Sequence, residues 1–85
     1  MKKLLFFHAP WCPPCRFYDG QFIQPLEALI GRERICRVDV QDKPFMAEKY
    51  LVDKLPAVII LDDEKVYMRC TGAIDVNEMA EILRG

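Results

Sequence analysis

Apolar and polar residues follow two periods along this chain, and the switches between them mark its elements. Residues 3–8 carry the unbroken run Leu4, Leu5, Phe6, Phe7, which predicts a central strand buried on both faces. From 13 to 30 the apolar positions Phe17, Tyr18, Phe22, Ile23, Leu26, Leu29 and Ile30 keep close to helical spacing. Gly20 and Pro25 interrupt that helix. Pro25 lacks a backbone N–H and is expected to kink it, and Gly31 is expected to stop it. Strand alternation returns at 34–40, with Ile35, Arg37 and Asp39 on one face and Cys36, Val38 and Val40 on the other, a half-exposed strand. Residues 43–51 predict a short helix, with Asp42 near its start and Pro44 in its first turn. The run "AVIIL" at 57–61 predicts a second buried strand, the acidic stretch after it a tight turn, and 65–71 the returning strand of a hairpin. Residues 75–84 end the pattern as a helix, with Asp75 and Glu78 spaced as a capping box and Val76, Met79, Ala80 and Leu83 on one stripe. The order β-α-β-α-β-β-α predicts one α/β domain over residues 1–85, with helices on both faces of a single sheet.

Composition and charge narrow the function. A chain of 85 residues, 52% of them apolar, has material for one core and little surplus stability. Net charge is −1 and no basic cluster occurs, which argues against nucleic acid and against a charged membrane surface as partners. The opening Lys-Lys-Leu-Leu-Phe-Phe ends its apolar run at His8, short of the roughly 7–15 residues of a secretory h-region. No run approaches the roughly 20 residues of a membrane span. The expected address is therefore the cytoplasm, where thiols stay reduced, and the expected state is a monomer.

Four cysteines are present, and two of them, Cys12 and Cys15, stand in "HAPWCPPCRF". That spacing serves a structural disulfide, half of a metal site or a working redox pair. A thiol–disulfide exchanger needs a thiolate nucleophile and a second thiol close by, and a thiolate is favoured where backbone N–H groups converge at a helix start. Here Cys12 falls at the predicted cap. Pro13 and Pro14 occupy the first turn, where a missing N–H costs nothing, and Cys15 lies one turn in. Cys12 is then expected to be the exposed attacking thiol and Cys15 the more buried resolving one. The runner-up is a metal-carrying module of the copper-chaperone kind. Those modules lack the tryptophan and the paired prolines, and Cys36 and Cys70 do not form the second CxxC of a closed zinc site.

The segment "FHAPWCPPC" resembles the active-site segment of the thioredoxin superfamily, usually W-C-G-P-C. "RVDVQDKP", "AEKYLVDKLPAVIIL" and "CTGAIDVNEMAEIL" are similar to later family segments, so the likeness covers nearly the whole chain. It implies a minimal thioredoxin-like fold with a four-stranded mixed sheet, and a protein disulfide oxidoreductase. In that reading Cys12 forms a mixed disulfide with a substrate protein and Cys15 resolves it. Pro56, after Leu55, becomes the cis-proline facing them, and Trp11, Leu55, Pro56, Thr71, Gly72 and Ala73 border the substrate groove. No cofactor is implied beyond the Cys12–Cys15 couple. The recycling partner is a flavoprotein disulfide reductase, with glutathione less favoured because the motif lacks the glutaredoxin tyrosine.

The chain also departs from the family pattern. It starts directly at the active-site strand, which makes the strand at 34–40 a sheet edge, guarded by Arg37 and Asp39 read as solvated charges. Phe6 stands where the family places a buried acid that helps deprotonate the resolving thiol. Pro13 replaces the motif glycine, and Gly20 stands at the family's helix-kinking proline. His8 takes a place common to aromatics. It reads either as a filler of that place or as a titrating neighbour that lowers the Cys12 pKa. Cys36 and Cys70 fall on opposite edge strands of the family sheet, too far apart to pair. Cys36 reads as a small apolar side chain and Cys70 as a target for oxidation.

Overall fold

A computed structural model describes residues Met1 to Gly85. The elements run β1 (Lys2–His8), α1 (Pro13–Tyr18), a π-helical segment (Asp19–Ile23), α2 (Gln24–Ile30), β2 (Ile35–Asp39), α3 (Pro44–Lys49), β3 (Ala57–Asp62), β4 (Lys65–Cys70) and α4 (Val76–Arg84). The strands form one mixed sheet in the order β2-β1-β3-β4. β1 pairs parallel with β2 and antiparallel with β3, and β3 pairs antiparallel with β4. No helix is long and apolar enough to cross a membrane.

The apolar run of β1 dictates this arrangement. Leu4, Leu5, Phe6 and Phe7 are all buried, so both faces of the sheet must be covered. The pleat sends Leu4 and Phe6 toward Ile23 of the π-helical segment, Leu26 of α2, and Met79 and Leu83 of α4. It sends Leu5 and Phe7 to the other face, against Val38, Ile59 and Tyr50 at the end of α3. Each such side chain contributes roughly 1.5–3 kcal/mol of apolar burial. Asp75 caps α4 as its spacing predicted, accepting from the Glu78 N–H at 3.1 Å. The β3–β4 hairpin turns on Asp63 and Glu64, with Asp63 left-handed at φ 56°.

The expected helix runs unbroken from Pro13 to Ile30, with a π-helical segment at Asp19–Ile23 in its middle. Without an N–H on Pro25 the carbonyl of Gln21 has no helical donor. The chain widens ahead of it: the Gln24 N–H reaches back five residues to the Asp19 carbonyl, a π-type turn. The π-type turn thus lies across 19–23, just upstream of Pro25. Phe17 and Leu29, counted in the apolar stripe, are exposed. The helix at 43–51 is shorter than expected because Leu51 turns left-handed at φ 57°, and no side chain caps its start.

β2 also departs from expectation. Its Arg37 is not a solvated edge charge. The guanidinium grips Asp19 through Nε and Nη2 (2.9 and 2.8 Å) and Glu27 through Nη1 and Nη2 (2.6 and 2.9 Å). Alternation does place Arg37 on the Ile35 face, but that face lies under the bent helix rather than in water. The fork of donors suits two carboxylates at once. Both acids are held below the ordinary carboxylate range by their hydrogen bonds to Arg37, and the guanidinium is held charged by the same bonds.

Carboxylates depressed in the folded state stabilise it above their unfolded range of about 4 and lose that contribution as pH falls through the folded values. Arg37→Ala is therefore expected to cost about 1–2 kcal/mol at pH 7, a figure discounted for partial exposure. It is also expected to flatten the acid limb of the stability curve. Urea denaturation at pH 7 and at about pH 2.5 measures both effects. Equal midpoints for wild type and variant at pH 7 would show that the bridge contributes nothing.

Candidate active site

The loop after β1 delivers Cys12 to the start of α1, and the two following prolines shape what happens there. Cys12 is the cap residue, in extended conformation at φ −108° and ψ 95°. Pro13 and Pro14 fill the first two helical positions and bring no N–H. The first amide left is that of Cys15, which donates to Cys12 Sγ at 3.3 Å. One amide, rather than a converging set, therefore reaches the sulfur. Cys12 and Cys15 are joined as a disulfide, with Cα atoms 5.3 Å apart.

Cys12 was expected to be exposed. It is 5% exposed against 2% for Cys15, so both are buried. The difference between them is one of access. Cys12 borders an open hollow of about 300 Å³ that also takes in Trp11, Val40, Ala47, Val52 and Leu55, and Cys15 does not border it. Trp11 stands 62% exposed at the edge of that hollow. The following Leu55–Pro56 peptide bond is cis.

The proposed groove residues do not all line one hollow. Trp11 and Leu55 line the same hollow as Cys12. Thr71 lines a neighbouring hollow, which shares Val52 and Asp53 with the first. Ala73 lies beyond, toward α4. Gly72, left-handed at φ 78°, is held by a contact that the sequence reading did not anticipate: the Tyr18 hydroxyl donates to its carbonyl at 2.9 Å.

Beneath the disulfide the site is aromatic. Phe6 is 1% exposed and stacks on His8 on one side (centroids 5.4 Å apart) and on Tyr18 on the other (5.7 Å). Phe22 packs against Tyr18 at 4.7 Å. His8 thus takes an aromatic's place in a stack, and no hydrogen bond ties it to Cys12. Burial pushes the Tyr18 hydroxyl up to about 12 and raises the Cys70 thiol as well. A raised thiol carries less thiolate, which weighs against Cys70 as an oxidation target. Cys36 is half-buried among the side chains on the α3 face. Both cysteines are unpaired, on the two edge strands.

The family model for thioredoxin matches residues 1–85. The chain belongs to the thioredoxin family. A thioredoxin of Chlamydia caviae is 31% identical over 80 residues, covering 94% of this chain and 78% of the relative. The chloroplastic thioredoxin Y2 of Arabidopsis thaliana is 31% identical over 78 residues, covering 92% of this chain but 47% of its own length. The chain spans about half the length of such chloroplast relatives. Among solved structures, Fasciola hepatica thioredoxin superposes with a TM-score of 0.79 at 28% identity, covering 98% of this chain and 78% of that one. A malaria parasite thioredoxin-2 reaches a TM-score of 0.82 at 24% identity, over 99% and 82%, and shows the fold alone. Tyr18 carried a readable signal, since it lies one turn from Cys15 on the same helical side. The Arg37 partners carried none, because only the packing of the bent helix over β2 brings them together.

Proposed function

We propose that this chain is a thiol–disulfide oxidoreductase whose dithiol form reduces disulfides in other proteins. The observation that carries this reading is the Cys12–Cys15 disulfide itself. It sits at a helix start with only Cys12 bordering an open, largely apolar hollow, in a chain of the thioredoxin family. The reaction balances as two exchanges. The Cys12 thiolate attacks one substrate sulfur, forms a mixed disulfide and expels the other substrate thiolate. The Cys15 thiolate then attacks Cys12 Sγ, breaks the mixed bond and releases the second substrate thiol. Two electrons pass to the substrate, and Cys12–Cys15 is left oxidised. The family match favours this over the metal-carrying reading of the same spacing.

The finer assignments form part of the proposal. Substrate chain passes between Trp11 and Leu55, with Pro56 beside it and the segment Thr71, Gly72, Ala73 along its far side. The couple needs no cofactor, and a flavoprotein disulfide reductase restores the dithiol. The protein acts as a monomer in the cytoplasm.

Equilibration in defined thiol–disulfide buffers, with free thiols counted by alkylation, tests the direction of flow. A reductant is expected to titrate as one two-electron couple at or below the glutaredoxin range of about −200 to −230 mV. A midpoint near about −120 mV, the value of a dedicated oxidant, would reverse the assignment. Failure to form the internal disulfide at any poise would remove it.

A further inference from the structure

The Tyr18 hydroxyl makes the one side-chain hydrogen bond from the active-site helix to the far loop. Its ring is 6% exposed and fixed between Phe6 and Phe22, and it lies three residues past Cys15. That fixed ring aims the hydroxyl at the Gly72 carbonyl, 54 residues away in sequence. Ile74 anchors the far end of the 71–74 loop against the core, but the stretch over Thr71–Ala73 has no other hydrogen bond to hold it. β4 has ended at Cys70 and α4 starts only at Val76, and no other hydrogen bond reaches the backbone of these residues. Thr71, Gly72 and Ala73 are all exposed, and Gly72 holds a left-handed conformation in open space.

We infer that the Tyr18 hydroxyl is a positioning group that holds the Gly72 loop where an extended protein substrate meets it. The inference rests on the disulfide-reductase reading and deepens it to the choice between protein and small-molecule substrates. Tyr18 does not act as an acid or base, since its proton is already donated to a carbonyl and its ring is buried. Its effect is therefore on substrate binding and not on the exchange chemistry. A protein substrate long enough to span from Cys12 to the loop loses contacts when the loop drifts. A small aromatic disulfide, which needs only the sulfur and its immediate hollow, does not.

Tyr18→Phe keeps the stacked ring and removes only the hydroxyl. For a protein disulfide its KM is expected to rise about three- to tenfold, the size of one hydrogen bond's net worth, with kcat unchanged. Reduction of a small aromatic disulfide stays within about twofold of wild type. Amide exchange over residues 71–74 quickens. An unchanged KM for the protein substrate overturns the inference, as do equal losses on both substrates or amide exchange over 71–74 that stays at the wild-type rate. Wild type inactive on both substrates would instead defeat the reductase reading itself.

Discussion

Cys12→Ser is expected to reduce turnover of a protein disulfide to background, while Cys15→Ser stops one step later with the substrate attached to Cys12. The reasoning starts from the helix cap. A serine hydroxyl at position 12 still accepts the Cys15 N–H, since serine is a favoured cap. The disulfide spans only three residues, so losing it releases little loop entropy. The fold therefore survives, and what disappears is the nucleophile, because a hydroxyl does not ionise at neutral pH as a thiol does. In Cys15→Ser the attacking sulfur remains on the hollow with Trp11 and Leu55, and nothing is left to expel the substrate. Mass spectrometry of the reaction mixture should then show a covalent adduct that dithiothreitol releases. An adduct on Cys15 in the Cys12→Ser protein, with turnover retained, would reverse the two roles.

Much of this site was legible before any coordinates. The run of apolar residues at 4–7 and the "AVIIL" run fix two central strands, and the CPPC step between strand and helix fixes where the chemistry sits. Periodicity reports which face of an element is apolar, and that information is local. What it missed depends on contacts between elements. Arg37 alternates correctly, yet whether its face meets water or Asp19 and Glu27 depends on how the bent helix crosses β2. Pro25 marks in the sequence the residue that lacks the donor. The backbone responds upstream, where the carbonyls seek other partners. Cys12 looked exposed because a nucleophile needs access, but access here comes from one side only.

These contacts also link the departures of this chain to one another. Phe6 in place of an acid removes a titrating group from beneath the sulfurs and supplies a ring for Tyr18 to stack on. The stack in turn aims the Tyr18 hydroxyl at Gly72. The Arg37 clamp holds Asp19, the residue after Tyr18, to the edge strand. Helix bend, aromatic stack and far loop are thus one connected unit around a disulfide with no buried carboxylate beneath it.

Restoring the acid is then expected to break the fold before it speeds the chemistry. Phe6→Asp removes a ring that is 1% exposed and packed between His8 and Tyr18. Truncating a buried phenylalanine costs about 3–5 kcal/mol, and a buried carboxyl without a partner adds about 1–3 kcal/mol. A domain of this length holds roughly 4–13 kcal/mol in total, so the variant is expected at or below the edge of folding. The pH dependence identifies the cause. Burial raises the folded pKa of the introduced carboxyl above its unfolded value of about 4, so its folded form is best tolerated while protonated. The loss relative to wild type is therefore smallest below about pH 4 and grows as pH rises toward the raised value. Phe6→Leu, which loses the stacking but keeps an apolar side chain, should cost less than about 2 kcal/mol and show no such slope. Urea midpoints for the three proteins at two pH values decide the matter. A folded Phe6→Asp protein with wild-type stability at pH 7 and faster release of the mixed disulfide would mean that a partner for the carboxyl exists beneath the cysteines, and that the aromatic stack is dispensable.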